Sequence, residues 1–151
     1  MSYQSFEDLD VWQRGCRLSV DVFKTFAGCK NFTMKDQVQR ASLSIPSNIA
    51  EGAERGGTKE FVRFLNIAKG SCGELRTQLY ISRKLSFLSS KTFNALLAES
   101  KEISAMLQGL SRSLTARTYP KQKRATLSKR KKASSLTNKS PKTQKRAHRR
   151  S

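Results

Sequence analysis

Chemistry needs a nucleophile, a base or a set of metal ligands at a workable spacing, and this chain offers few of them. Its one histidine, His148, sits in a run of Lys, Arg, Ser and Thr with no partner that the sequence fixes beside it. Cys16, Cys29 and Cys72 have neither CxxC nor metal-ligand spacing. With no histidine in residues 1–117, no cysteine there has the base a Cys/His nucleophile requires. There is no Gly-x-Ser-x-Gly elbow for a serine nucleophile. Gly56-Gly57-Thr58-Lys59 lacks the Gly-Lys-Ser/Thr ending of a phosphate loop and reads as a tight turn. Glu51 and Glu74 are candidates for a carboxylate pair, but an ion pair with Arg40 or Arg55 is the plainer reading. The residues predict a protein that is not an enzyme and holds no cofactor or metal.

What the chain does carry is positive charge, unevenly divided. Its 151 residues hold 30 Lys and Arg against 11 Asp and Glu, a net +19. Residues 118–151 contain 13 of those cations and no acid, whereas residues 1–117 hold 17 cations and all 11 acids. The C-terminal cations include Lys121, Lys123, Arg124, Lys129, Arg130, Lys131 and Lys132, then Lys145, Arg146, Arg149 and Arg150. A second basic group lies further upstream. Lys69, Arg76 and Arg83 fall seven residues apart and so share one face of a helix, with Arg63, Lys84 and Tyr80 nearby. Glu60 and Glu74 read as belonging to another side, so the stripe reads as an outward, uncompensated basic surface. By contrast, Asp10–Arg14 and Arg17–Asp21 stand four apart and are expected to neutralise one another. A basic run is either a solvated surface or a polyanion site; stripe and tail together favour RNA or DNA as partner. No zinc finger, basic zipper or RNP motif supplies base readout, so binding is expected to be electrostatic with weak sequence preference.

The elements that position these residues read as four helices. In the first, Ser5-Phe6-Glu7-Asp8 forms a capping box, and Leu9, Trp12, Cys16, Ser19, Phe23 and Phe26 recur at spacings of three and four up to Gly28. Trp12 reads as a core anchor rather than a stacking platform for bases. The second helix starts at Thr33, runs its stripe through Met34, Val38, Ala41, Ile45 and Ile49, and closes at Gly52. It contains Pro46, which removes one backbone hydrogen bond; a bend is expected there, with Ser44, Ser47 or Asn48 serving the freed carbonyls. The third and longest helix covers about residues 58–87, capped by Thr58, with Phe61, Leu65, Ala68, Cys72, Leu75 and Leu79 inward and that face widened by Phe64, Ile67, Ile81 and Leu85. Gly70 and Gly73 within it suggest close approach of another helix, in the same subunit or another. Ser89 or Ser90 caps the fourth, whose Phe93, Leu96, Leu97, Ile103, Leu107, Leu110 and Leu114 repeat near a heptad. The prediction is an all-α antiparallel up-down-up-down four-helix bundle over 1–117 with a disordered basic C-terminal tail over 118–151. Apolar residues flanking the core exceed what one small bundle covers, so a homo-oligomer is expected. No apolar run is long enough to span a membrane, and an odd cysteine count without a secretory signal places the chain in the cytoplasm.

Ala41–Gly52 (Ala-Ser-Leu-Ser-Ile-Pro-Ser-Asn-Ile-Ala-Glu-Gly), Leu9–Gln13, Asp36-Gln37, Arg40-Ala41, Ala68–Ser71 and Glu74-Leu75 together resemble one bacterial family. It is the four-helix-bundle proteins encoded in intervening sequences of 23S ribosomal RNA genes, related to the accessory variability determinant protein of diversity-generating retroelements. The resemblance covers about residues 5–114. It implies the bundle fold, a ring-like homopentamer and, on the retroelement branch, a non-enzymatic nucleic-acid-binding partner of a reverse transcriptase. The intervening-sequence branch implies instead a structural homo-oligomer with no assigned activity. The loop Ala27–Phe32 lacks the proline-containing pattern of the family, and the long basic tail is not general in it.

Overall fold

Proline within a helix leaves the carbonyl four residues before it without its usual donor, and that vacancy organises two of the four helices here. The computed structural model describes residues 5–118. After a 3₁₀ turn at Phe6–Asp8 come α1 (Asp10–Phe26), α2 (Phe32–Glu54), α3 (Thr58–Lys84) and α4 (Ser90–Thr118). No strand occurs among the described residues. The helices form a four-helix bundle in which α2 packs on α1 and α3, and α4 on α3 and α1. Residue pairing shows adjacent helices antiparallel: Gly15 faces Ile45 and Pro46, Ser44 meets Ser71, Gly52 meets Phe64, and Lys69 meets Gln108.

α2 continues through Pro46 without interruption. The carbonyl freed by the missing N–H is that of Ser42, and it accepts from Ser19 Oγ of α1 at 2.8 Å. The sequence pointed to Ser44, Ser47 or Asn48 for this task. Asn48 Nδ2 does donate within α2, to the Ser44 carbonyl at 2.7 Å and its hydroxyl at 2.9 Å. The Ser42 acceptor, however, is served from a neighbouring helix. Ser44 Oγ lies 2.9 Å from Ser71 Oγ and links α2 onward to α3. Gly52 does not close α2: it is buried inside the helix, where an added Cβ would lie 2.4 Å from Phe64 Cβ. The glycine is therefore what lets α3 approach.

The caps differ from the sequence reading by a residue or two, as helix ends commonly do. Ser5 N–H donates to Asp8 Oδ2 at 3.2 Å, but that box opens the 3₁₀ turn. Asn31, not Thr33, caps α2, its Oδ1 accepting from Met34 N–H at 2.9 Å. Gly57, at φ +85, precedes α3, and Thr58 is already helical. Ser89 Oγ caps α4 by accepting from Thr92 N–H at 3.1 Å. α4, with 29 residues, is longer than α3, with 27, reversing the expected order.

The core is Val11, Leu18, Val22 and Phe26 of α1, Val38, Ala41, Ile45 and Ile49 of α2, six inward residues of α3, and Leu96, Ile103 and Leu107 of α4. The predicted stripes of α2 and α3 are these same residues, apart from half-buried Met34. Of the residues expected to widen the α3 face, Phe64 is buried but Ile67, Ile81 and Leu85 are exposed, because they stand on the flanks that no other helix of the bundle covers. On α1 the stripe is displaced. Ser19 and Phe26 are buried as read, but Leu9, Trp12 and Cys16 are half-buried and Phe23 is exposed. Trp12 packs edge-on against Phe6 with ring centroids 5.2 Å apart and borders the core. Gly70 has nothing within 4 Å of an added Cβ and Gly73 meets only Arg76 Nη2, so neither marks a close helix contact within this chain.

If the Ser19 hydroxyl replaces the Pro46 N–H, the two residues must be thermodynamically coupled. Ser19→Ala should lose about 1–3 kcal/mol by orphaning the buried Ser42 carbonyl. In a Pro46→Ala background, where residue 46 again has an N–H for that carbonyl, the loss should fall by about 1 kcal/mol or more. Urea unfolding of the four variants measures this; equal losses in both backgrounds would refute the coupling.

Candidate nucleic-acid interface

Charge acts over distance only where no opposite charge cancels it, so the pairing of each cation decides what the surface can do. Three arginines are cancelled. Arg14 of α1 grips Glu99 of α4 through two bonds, Nε to Oε1 at 2.8 Å and Nη2 to Oε2 at 2.6 Å. This pair crosses the bundle, whereas the sequence had matched Arg14 with Asp10. The hydrogen bond from Arg14 holds the Glu99 carboxyl below its usual range. Glu51 takes Arg55 at 2.7 Å, one of its two expected partners, and Glu74 instead accepts from Gln78 Nε2 at 3.5 Å. Arg63 pairs with Glu60 at 3.1 Å and covers the Phe64 ring at 4.5 Å. Glu60 is thus on Arg63's side, contrary to expectation, and its carboxyl is lowered by that hydrogen bond.

Lys69, Arg76 and Arg83 do share one face, as their spacing required. That face is the α3–α4 seam rather than the outward side, because the inner stripe turns this flank of α3 toward α4. Lys69 Nζ donates to Gln108 Oε1, Arg76 Nη1 to the Ser100 carbonyl at 3.4 Å, and Arg83 Nη1 to the Leu88 carbonyl at 3.5 Å. All three are half-buried. Every acceptor is neutral, so these bonds fix the cations without cancelling them. Lys84 is exposed beside them, and Tyr80 packs edge-on against Phe93, centroids 5.1 Å apart. Gln108 and Ser100 were not legible as functional partners, since a glutamine and a serine in a heptad carry no signal of their own. Lys121, Lys123, Arg124, Lys129, Arg130, Lys131, Lys132, Lys145, Arg146, Arg149 and Arg150 lie outside the described residues.

Two of the thiols are made poor nucleophiles by their surroundings. Burial pushes the Cys72 thiol up to about 11 and raises Cys16 as well. No cluster of His, Cys, Asp and Glu among the described residues is arranged to hold a metal ion. No helix among them is long and apolar enough to cross a membrane.

Comparison with known proteins places this bundle. The signature of the 23S rRNA-intervening sequence protein family matches residues 7–109. The chain belongs to that family. A solved structure from Bacteroides thetaiotaomicron VPI-5482, described as a protein with unknown function from the S23 ribosomal protein family, has the same fold. It is 23% identical, with a TM-score of 0.63, covering 67% of this chain and 97% of the other. No curated protein matches the sequence. The family match falls on the intervening-sequence branch of the resemblance, and neither description names a reverse transcriptase. The family match ends before the basic segment begins, so the 13 cations of residues 118–151 lie outside the matched residues.

The geometry of this family member sets two measurable outcomes. Glu99 has a lowered pKa when folded, so its stabilisation is present above its unfolded value, about 4.3, and is lost as pH falls through the folded value. Glu99→Gln should therefore cost about 1 kcal/mol at pH 7 by thermal unfolding, with the difference closing below about pH 4. A constant gap down to pH 3 would refute the ion-pair account. In a Cys16→Ser, Cys29→Ser protein, the remaining Cys72 should be silent to a thiol reagent at pH 8 while folded. It should give one equivalent once the protein is unfolded in guanidinium. Rapid native labelling would show Cys72 to be accessible.

Proposed function

We propose that this chain is a non-enzymatic nucleic-acid-binding member of the intervening-sequence family. The observation that carries the reading is the charge division: 13 cations with no acid in residues 118–151, beside a helical body at net +6. A polyanion with regularly spaced phosphates is the partner that such a segment suits, through counterion release. The body supports the same reading with its uncancelled cations at the α3–α4 seam, Lys69, Arg76 and Arg83, and with exposed Lys84. Self-association belongs to the reading too. Val20, Phe23 and Leu43 on α1 and α2, and Ile67 and Ile81 on α3 with Leu85 just after it, leave apolar side chains in solvent that a second copy would cover. The pentamer and the reverse-transcriptase partner rest on the resemblance alone. The second branch, a structural homo-oligomer, shares its family with the match over residues 7–109.

Neutralising about 6–10 phosphates makes affinity fall roughly 10³–10⁵-fold between 50 and 200 mM salt. Full-length protein should bind RNA and DNA with a salt slope of that order, and removing residues 119–151 should flatten the slope and weaken binding to all sequences alike. Fluorescence anisotropy against salt concentration measures both, with light scattering reporting the mass of each form. An unchanged slope after truncation would remove the segment as the main contact. Absence of binding by the full chain at 50 mM salt would overturn the nucleic-acid reading in favour of the structural oligomer.

A further inference from the structure

The two ends of the bundle differ in charge and in surface chemistry. At one end meet the α1–α2 loop and the α3–α4 loop. Residues 21–36 and 83–91 there hold Lys24, Lys30, Lys35, Arg83, Lys84 and Lys91 against two carboxylates, Asp21 and Asp36. At the other end, residues 51–63 hold three acids and three bases, residues 7–10 three acids, and residues 112–117 two arginines. Among the described residues the loop-paired end is thus net +4 and the opposite end net −1.

The positive end also exposes aromatic rings. Phe32, the first residue of α2, is 78% exposed, and Phe87 is 38% exposed. Phe32 lies off the core stripe of α2 and Phe87 lies in the α3–α4 loop, and each stands within five residues of two or more of these cations. A depression of about 320 Å³ opens between the two loops, lined by Thr25, Gly28, Cys29, Lys30, Asn31 and Phe87. That volume is at the small end of ligand sites, which run from about 300 to 1,000 Å³, and suits one ring system rather than a large ligand. Its walls are a ring, an ammonium and hydrogen-bonding groups. Asn31 spends its Oδ1 on the cap of α2, which leaves its Nδ2 hydrogens as the remaining side-chain donors.

The wall that carries Phe87 is held in place. Phe87 N–H donates to the Ser82 carbonyl at 2.9 Å, Ser86 turns the chain at φ +60, and Arg83 bonds both the Leu88 carbonyl and Ser90 Oγ. Arg83 is also the last of the three seam cations, so the uncancelled charge of the α3–α4 seam runs into this end. Stacking of bases on aromatic rings beside a basic track is the general mode of single-strand recognition, and duplex DNA keeps its base faces stacked away from such rings.

We propose that the loop-paired end is a binding site for an unpaired base of single-stranded nucleic acid, with Phe87 stacking the base and Lys30, Lys84 and the α3–α4 seam holding the flanking phosphates. The inference rests on the nucleic-acid reading above and narrows it from any polyanion to a strand with accessible bases.

The test uses the full chain and three probes of equal phosphate count: a single strand with one central 2-aminopurine, the same strand with abasic sites for bases, and a duplex. The single strand should bind about fivefold or more tighter than the abasic strand, with quenched 2-aminopurine emission. Phe87→Leu, which keeps apolar bulk and removes the aromatic face, should abolish that preference and the quenching while leaving the salt slope unchanged. Lys30→Gln should weaken the single strand and lower the slope by about one. Phe32→Leu, at a far more exposed ring, serves where Phe87→Leu unfolds by circular dichroism, and should reduce the quenching in part. Equal binding of all three probes, with no effect of either phenylalanine, would overturn the base site and leave the electrostatic reading standing. No binding of any probe at low salt would overturn both.

Discussion

Pro46 is the constraint around which the bundle is organised. Its ring removes the donor for the Ser42 carbonyl, and a buried carbonyl without a partner costs about 1–3 kcal/mol. The Ser19 hydroxyl answers it from α1, and to reach it α1 must lie close along α2. The two helices meet closely here: at Gly15 an added Cβ would sit 3.5 Å from Pro46 Cβ, in ordinary van der Waals contact, and Ser19 Oγ reaches the Ser42 carbonyl. On the other flank of α2, Gly52 lets Phe64 press against the backbone, and Ser44 and Ser71 share a hydrogen bond. One helix thus carries directional contacts to both neighbours, and these fix register where apolar packing alone tolerates sliding.

This arrangement explains which parts of the fold were legible in the sequence. The stripes of α2 and α3, Met34 apart, are buried residues at spacings of three and four, and the exposed Leu43, Ile67 and Ile81 fall outside them. α1 carries two apolar series, one through Trp12, Cys16 and Phe23, the other through Val11, Leu18 and Val22. Recurrence at three and four from Leu9 to Phe26 favoured the first. The structure buries the second instead, beside Gly15 and Ser19, and leaves Trp12 and Cys16 half-buried and Phe23 exposed. Gly52 misled for a related reason. A glycine at the end of a periodic segment resembles a cap, and only the position of Phe64 on another helix makes it a packing residue.

The candidate site was legible in its periodicity and not in its direction. Seven-residue spacing assigns Lys69, Arg76 and Arg83 to one face, but a helix in a bundle has flanks that face neither core nor solvent. Which flank they occupy depends on where the inner stripe points and on the neutral acceptors of α4. Local spacing also assigned Arg14 to Asp10, and the crossing to Glu99 over 85 positions of sequence has no local signature.

Neutral acceptors are what keep the seam electrostatically active. Arg14, Arg55 and Arg63 each meet a carboxylate, and their fields close within the pair. Gln108 Oε1 and the carbonyls of Ser100 and Leu88 hold their cations in place and leave the full positive charge to the surroundings. A half-buried cation with a fixed position loses less side-chain entropy on meeting a phosphate than a free lysine does. Its field is also less screened than that of an exposed one. Over 14 residues of α3 these charges span about 21 Å, and they end at Arg83, whose bonds to Leu88 and Ser90 also hold the loop that presents Phe87. The same residue therefore belongs to the charged track and to the scaffold of the aromatic wall. Removing it would be expected to disturb both together, whereas changing Phe87 alone separates ring from charge.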